Sequence, residues 1–244
     1  MYIAENPEDE VFSRANKYPR FWQAYFMEHW PTPQLIPRRD ERGVFENVVY
    51  VGSPLELDKS FRGEDFKEKL RVLGLNFMII DSPGRWNDFS EADCVLSVRN
   101  FNDKKHLRKP ASKLINAWLA GVPAVLGPEA AFRAKRRSSL DYIEVTNYRE
   151  TLEALKKLKE DPSLRAKMIE NGLERGKEYT AEKTAQRWEH FINNVVIPEY
   201  ETWLKLPQRR VKDFFDRRER YYKTKDITVF DPLPIRVLKK ILKK

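Results

Sequence analysis

Arg99, Lys109, Lys113 and Glu129 each stand just after an apolar run or at the opening of the segment that follows one. Arginine offers a planar fork of donors that matches a phosphate, and lysine offers a compact positive charge. Between them lies a stretch with its own punctuation. Pro110 suits the first turn of a helix, Gly121 the position just past its end, and Pro123 the opening of a strand. The intervening Leu114, Ile115, Ala117, Trp118 and Leu119 cover most of that helix and predict its burial. Lys109 and Lys113 then put cations at the end of a helix whose dipole favours anions, an arrangement that is unfavourable unless something negative binds there. The free amides near Ser112 would supply the hydrogen bonds of such an anion site.

The elements that must position these residues follow from the hydrophobic pattern. Strands are predicted at residues 48–51, 76–80, 94–98, 124–126 and 142–145, alternating with helices at 65–73, 110–120 and 129–136. Such alternation implies an α/β fold, a Rossmann-like parallel sheet with helices on both faces and right-handed crossovers. Ligands bind these sheets beyond the carboxyl ends of the strands, which selects Gly52, Arg99, residues 109–113 and residues 127–129. Gly52-Ser53-Pro54 lacks the later glycines of a dinucleotide fingerprint, which argues against a nicotinamide or flavin enzyme. His29, His106 and His190 show no metal-ligand spacing, so neither a metal nor a cofactor is expected. After the last strand, helices are predicted at 148–160, 163–177 and 181–196, with Trp188, Phe191, Ile192 and Val195 as a packing face of the last.

The run Lys113-Leu114-Ile115-Asn116-Ala117-Trp118-Leu119-Ala120-Gly121-Val122-Pro123 resembles the donor-site segment of retaining GT-B glycosyltransferases. In that family a Glu-Ala pair precedes Gly-x-Pro-Val, with a second glutamate seven residues upstream of the first. Asn116 stands here in place of the downstream glutamate and Arg108 in place of the upstream one. The resemblance covers residues 47–191 in layout and is specific between about 109 and 127. It implies a donor-binding half in which Gly52, Arg99, Lys109, Ser112, Lys113, Asn116 and Glu129 contact a nucleotide-diphospho-sugar, which is a substrate rather than a cofactor. The family's arginine after the first strand's glycine is Ser53 here, leaving the diphosphate to Arg99 and the two lysines. Asn116 has two readings, a hydrogen-bond acceptor for the donor ribose or a polar residue bonded to protein. Glu129 also has two, a sugar-facing carboxylate or the anionic first turn of the next helix.

The chain has 244 residues, of which 41% are hydrophobic and 12% aromatic, enough for a substantial core and too interrupted by charge to span a membrane. A single cysteine rules out an internal disulfide, and no signal-peptide pattern opens the chain, so the sequence reads as cytoplasmic. The net charge of +9 is confined to residues 205–244, which hold 14 Lys and Arg against 5 Asp and Glu. A neutral body argues against nucleic-acid binding by the folded core. The tail alternates cations with aromatics and ends in a basic amphipathic segment, with Ile235, Leu238, Ile241 and Leu242 on one face, the pattern of an anionic membrane surface contact. Residues 1–46 read as an attachment or the remnant of an acceptor domain: no sheet is expected there, and the aromatics from Phe21 to Trp30 suit a short helix. The three parts are thus 1–46, the nucleotide-sugar-binding body at 47–204, and the basic tail. Without an acceptor-binding half, a glycosyltransferase of this layout is expected to need a partner chain or a second copy. The other readings are a non-catalytic nucleotide-sugar-binding subunit and a binding module tethered by its tail. No catalytic residue is assigned.

Overall fold

The computed structural model describes residues 2–9, 24–39, 43–102 and 106–225. Those up to Trp188 form one compact body and those from Glu189 a second. The first is built on a sheet of five parallel strands, β3 (Asn47–Val51), β4 (Asn76–Ile80), β5 (Cys94–Ser97), β6 (Ala124–Leu126) and β7 (Ile143–Glu144), in the order β4-β3-β5-β6-β7. All five fall where the apolar runs predict them.

Burial on both faces explains why these runs are apolar throughout rather than alternating. In β3, Val48 and Tyr50 point to one face while Val49 and Val51 point to the other, and the exposure of all four is 8% or less. The first face is covered by α1 (Glu64–Val72), through Phe66 and Leu70, and by α4 (Tyr148–Glu160) through Leu155 and Leu158. The second is covered by α2 (Ser112–Leu119) through Leu114, Ile115 and Trp118, and by α3 (Ala130–Lys135) through Phe132. Gly121 ends α2 with φ 67°, a left-handed conformation that favours glycine, and sets the chain up for Pro123 and β6. Trp118 is fixed by its indole N–H, which donates to the Asp141 carbonyl at 2.9 Å. The helix α5 (Pro162–Gly176) carries Arg175, whose guanidinium lies over the Trp118 ring at 4.8 Å.

The N-terminal residues depart from expectation. Here β1 (Tyr2–Ala4) pairs in parallel with β2 (Ala24–Phe26), so a small sheet does form, and residues 24–26 are strand rather than helix. Tyr25 and Phe26 suit a pleated surface as well as a helix face, and the pairing with β1 decides between the two. The segment that follows is extended and tied to the body. Ile36 bridges Asp88, the Arg38 amide donates to the Ala120 carbonyl, and the Arg38 guanidinium reaches Asp93 at 2.9 Å. Asp93 is buried and also accepts the Glu46 and Asn47 amides at 3.0 and 2.9 Å, which fixes the approach to β3.

The helix α6 (Ala181–Phe191) begins in the first body; in the second the chain continues through a π-helical turn, Ile192–Val196, then α7 (Ile197–Leu204) and α8 (Gln208–Lys225). The π-turn rotates the helix, and Ile192, expected in a packing face, is 42% exposed while Phe191 is buried. Ile197, Tyr200, Trp203 and Leu204 are all exposed on α7, and the Tyr200 and Trp203 rings stack. The terminal segment with Ile235 and Leu238 lies outside the described residues. Among those described, no helix is long and apolar enough to cross a membrane.

Candidate functional site

The winding of the sheet reverses between β3 and β5. From β3 the chain runs through α1 to β4 on one side, then crosses to β5 on the other side of β3 and continues outward. The connections on either side of this point take opposite faces, with α1, between β3 and β4, against one and α2, between β5 and β6, against the other. A crevice opens beyond the strand ends at such a reversal. Gly52 follows β3 directly, Arg99 follows β5, and α2 begins after the loop from β5, so three of the expected residues or elements flank this point.

Gly52 has φ 136°, a backbone region that L side chains rarely adopt, and a Cβ there would lie 3.0 Å from the Lys113 Nζ. The glycine therefore brings the β3 turn against the first turn of α2. Lys113 lies over the Tyr50 ring, its Nζ 4.9 Å from the centroid, a cation–π contact. Tyr50 is held in turn by its hydroxyl, which donates to the Ser53 carbonyl at 3.0 Å. Burial, with the Arg99 charge adding to it, pulls the Lys113 ammonium down from 10.5 to about 8. Burial likewise pushes the Tyr50 phenol up to about 12.

Two carboxylates hold the cations. Arg99, with a side chain only 11% exposed, donates from Nε to Glu56 Oε2 at 2.9 Å and from Nη1 to Glu129 Oε2. Lys109 reaches the same Glu56 Oε2 at 3.0 Å. Burial works to raise the Glu56 carboxyl, but the hydrogen bonds from Arg99 and Lys109 outweigh it and bring it to about 2. Glu129 is the opposite case: burial prevails over the Arg99 charge and its carboxyl is raised. Glu129 stands at the cap position of α3, where its carbonyl accepts the Arg133 amide but its side chain gives no cap bond, and its Oε1 is buried with no hydrogen-bond partner among the described residues. A buried acceptor left unpaired is costly, and a ligand hydroxyl would satisfy it.

The α2 N-terminus adds its own donors. Its cap position is Ala111, which supplies no side-chain oxygen, so the first amides around Ser112 and Lys113 carry no side-chain cap. Arg99, Lys109, Lys113 and Glu129 are thus brought together, with Gly52 beside Lys113 and Ser112 in the same helix turn. Asn116 has its amide engaged by protein: Nδ2 donates to Thr32 Oγ1 at 2.6 Å, and Oδ1 accepts the Thr32 amide at 3.1 Å. Glu56 and Tyr50 were not among the residues expected from sequence. A carboxylate two residues beyond Pro54, after the turn that ends β3, is the signal that would have found Glu56. Among the described residues, no cluster of His, Cys, Asp and Glu is arranged to hold a metal ion.

The sequence matches no family model and no curated protein. Among solved structures, it superposes on S. aureus TarM, a mutant crystallised with fondaparinux, α-GlcNAc-glycerol and UDP, over 79% of this chain with a TM-score of 0.54 and 13% identity. The shared fold is α/β of the GT-B type, a parallel sheet flanked by helices and followed by C-terminal helices, as expected. A second similar structure is AviGT4, a glycosyltransferase involved in avilamycin A biosynthesis, with a TM-score of 0.37, 9% identity and 74% of this chain covered. This chain spans 43% of the TarM chain and 63% of the AviGT4 chain.

Proposed function

We propose that this protein binds a nucleotide-diphospho-sugar in the crevice between the ends of β3 and β5 and takes part in transferring the sugar to an acceptor. The observation that carries this reading is the convergence of Arg99, Lys109, Lys113 and the uncapped start of α2 at the point where the sheet reverses. Cations gathered beside a helix start that has no side-chain cap suit a diphosphate, and the structurally similar TarM crystal contains UDP. In the reaction these groups stabilise the negative charge that develops on the departing nucleotide diphosphate, an electrostatic role that needs no proton transfer from this half. Glu129, with one oxygen on Arg99 and the other unpaired among the described residues, is the proposed acceptor for a hydroxyl of the donor. Asn116 contributes through Thr32, by fixing the N-terminal segment on α2.

Transfer also requires an acceptor held in attack geometry. The acceptor side lies outside this crevice, and a second chain or a second copy of this one is its proposed source. The basic tail, with exposed aromatics on α7 before it, is assigned to an anionic membrane surface. A non-catalytic donor-binding subunit is the second reading, favoured by Glu56 and Glu129, which already neutralise Arg99 and Lys109. Incubating the purified chain with a panel of nucleotide sugars and following release of nucleotide distinguishes the two. Slow donor hydrolysis supports the enzyme, binding without turnover supports the subunit, and neither binding nor turnover contradicts both.

A further inference from the structure

Glu56 and Lys109 are the exposed members of the cluster that holds Arg99, and Glu56 is its exposed carboxylate. Its side chain is 42% exposed, against 4% for Glu129 and 11% for Arg99. It sits on a one-turn 3-10 helix, Pro54–Glu56, capped by Ser53, directly after the Gly52 turn. One oxygen, Oε2, takes both Arg99 Nε at 2.9 Å and Lys109 Nζ at 3.0 Å, so a single carboxylate serves two cations of the crevice. Glu129 by contrast is walled in and holds Arg99 from the other side.

We propose that Glu56 is a displaceable internal counter-ion that competes with the ligand's diphosphate for Arg99 and Lys109. This inference rests on the reading of the crevice as a diphosphate site. A diphosphate offers acceptor oxygens on two phosphorus atoms and more than one negative charge. It can replace a single carboxylate on both cations, whereas Glu129 stays in place and keeps Arg99 oriented. The side chain is half-exposed, and among the described residues the bonds that hold it come from the same two cations, Arg99 and Lys109. The same competition acts in reverse after transfer: when Glu56 returns to Arg99 and Lys109, the nucleotide diphosphate loses two of its contacts and leaves. Glu56 therefore lowers affinity and hastens product release, and it acts only on ligands that carry the phosphates. A nucleoside alone does not meet it.

The test is calorimetric titration of the full chain, and of its Glu56→Gln and Glu56→Ala variants, with inorganic pyrophosphate, UDP and uridine, alongside a thermal melt of each protein. The expected result is pyrophosphate and UDP affinity raised about tenfold or more in both variants, with binding of uridine unchanged. Two variants separate the loss of the carboxylate from any local change at the turn. Equal or weaker pyrophosphate and UDP binding in folded variants, with the unmodified protein binding both, overturns the role of Glu56 and leaves the diphosphate site standing. Absence of binding by all three proteins at millimolar pyrophosphate and UDP overturns the site itself, and this inference with it.

Discussion

Lys113 spends its charge in a place that disfavours it. The ammonium is held against the Tyr50 ring, beside Arg99 and at the positive end of α2, and its pKa falls from 10.5 to about 8. The unfolded chain therefore takes up this proton first as pH falls. Between pH 8 and pH 10.5 the unfolded state binds more protons than the folded one, so stability contributed by this residue rises with pH across that window. Below about pH 8 the full penalty of the buried charge is present. Replacing it with a neutral side chain of similar length, Lys113→Met, is expected to stabilise the free protein at pH 7 by about 1–3 kcal/mol, and by much less at pH 10. Urea melts of both proteins at the two pH values check this. A variant that is destabilised at pH 7 would mean the lysine is there for the fold and not for a ligand.

Among the elements, the five strands of the main sheet were legible because each is a short apolar run closed by a turn signal. The helix α2 was legible because Pro110 and Gly121 mark its ends. The pair β1 and β2 was not: three-residue strands carry no usable period, and what makes Ala24–Phe26 a strand is a partner some twenty residues away. The site divides in the same way. Arg99, Lys109 and Lys113 could be placed from strand ends and a helix start. The use of Asn116 on Thr32 and of Glu56 on two cations depends on which loops fold back, and no spacing records that. The junction of the β3 turn with α2 is where element geometry and chemistry meet, through Gly52. Gly52→Ala adds a Cβ 3.0 Å from Lys113 Nζ at φ 136°. It is expected to cost about 1–3 kcal/mol of stability and to weaken nucleoside diphosphate binding at least tenfold. Thermal melts and titration of the variant measure both, and a protein unchanged in stability and affinity would mean that this close approach is not needed.

For the whole molecule, the charge distribution separates two tasks, since residues 1–204 are electrically balanced and all of the net +9 lies beyond them. Within α8 alone, eight Lys and Arg face three Asp and Glu. Each cation near an anionic lipid surface contributes on the order of 1 kcal/mol, screened by salt. The full chain is therefore expected to co-sediment with anionic vesicles at low salt. It should be released at about 0.5 M salt, where the Debye length is only a few ångströms, and a chain ending at residue 207 should not bind. Equal binding to neutral vesicles would contradict the electrostatic account. What this surface serves depends on the crevice. Its most direct test is calorimetric titration of the protein and of Lys113→Met with UDP, GDP and ADP at pH 7 and pH 8.5. At least one nucleoside diphosphate is expected to bind, with proton uptake at pH 8.5 as the phosphate restores the Lys113 charge, and Lys113→Met is expected to bind it about 10–100-fold more weakly. No binding at millimolar concentration, or binding that Lys113→Met leaves unchanged and that carries no proton uptake, would contradict a nucleotide-diphosphate site at this place.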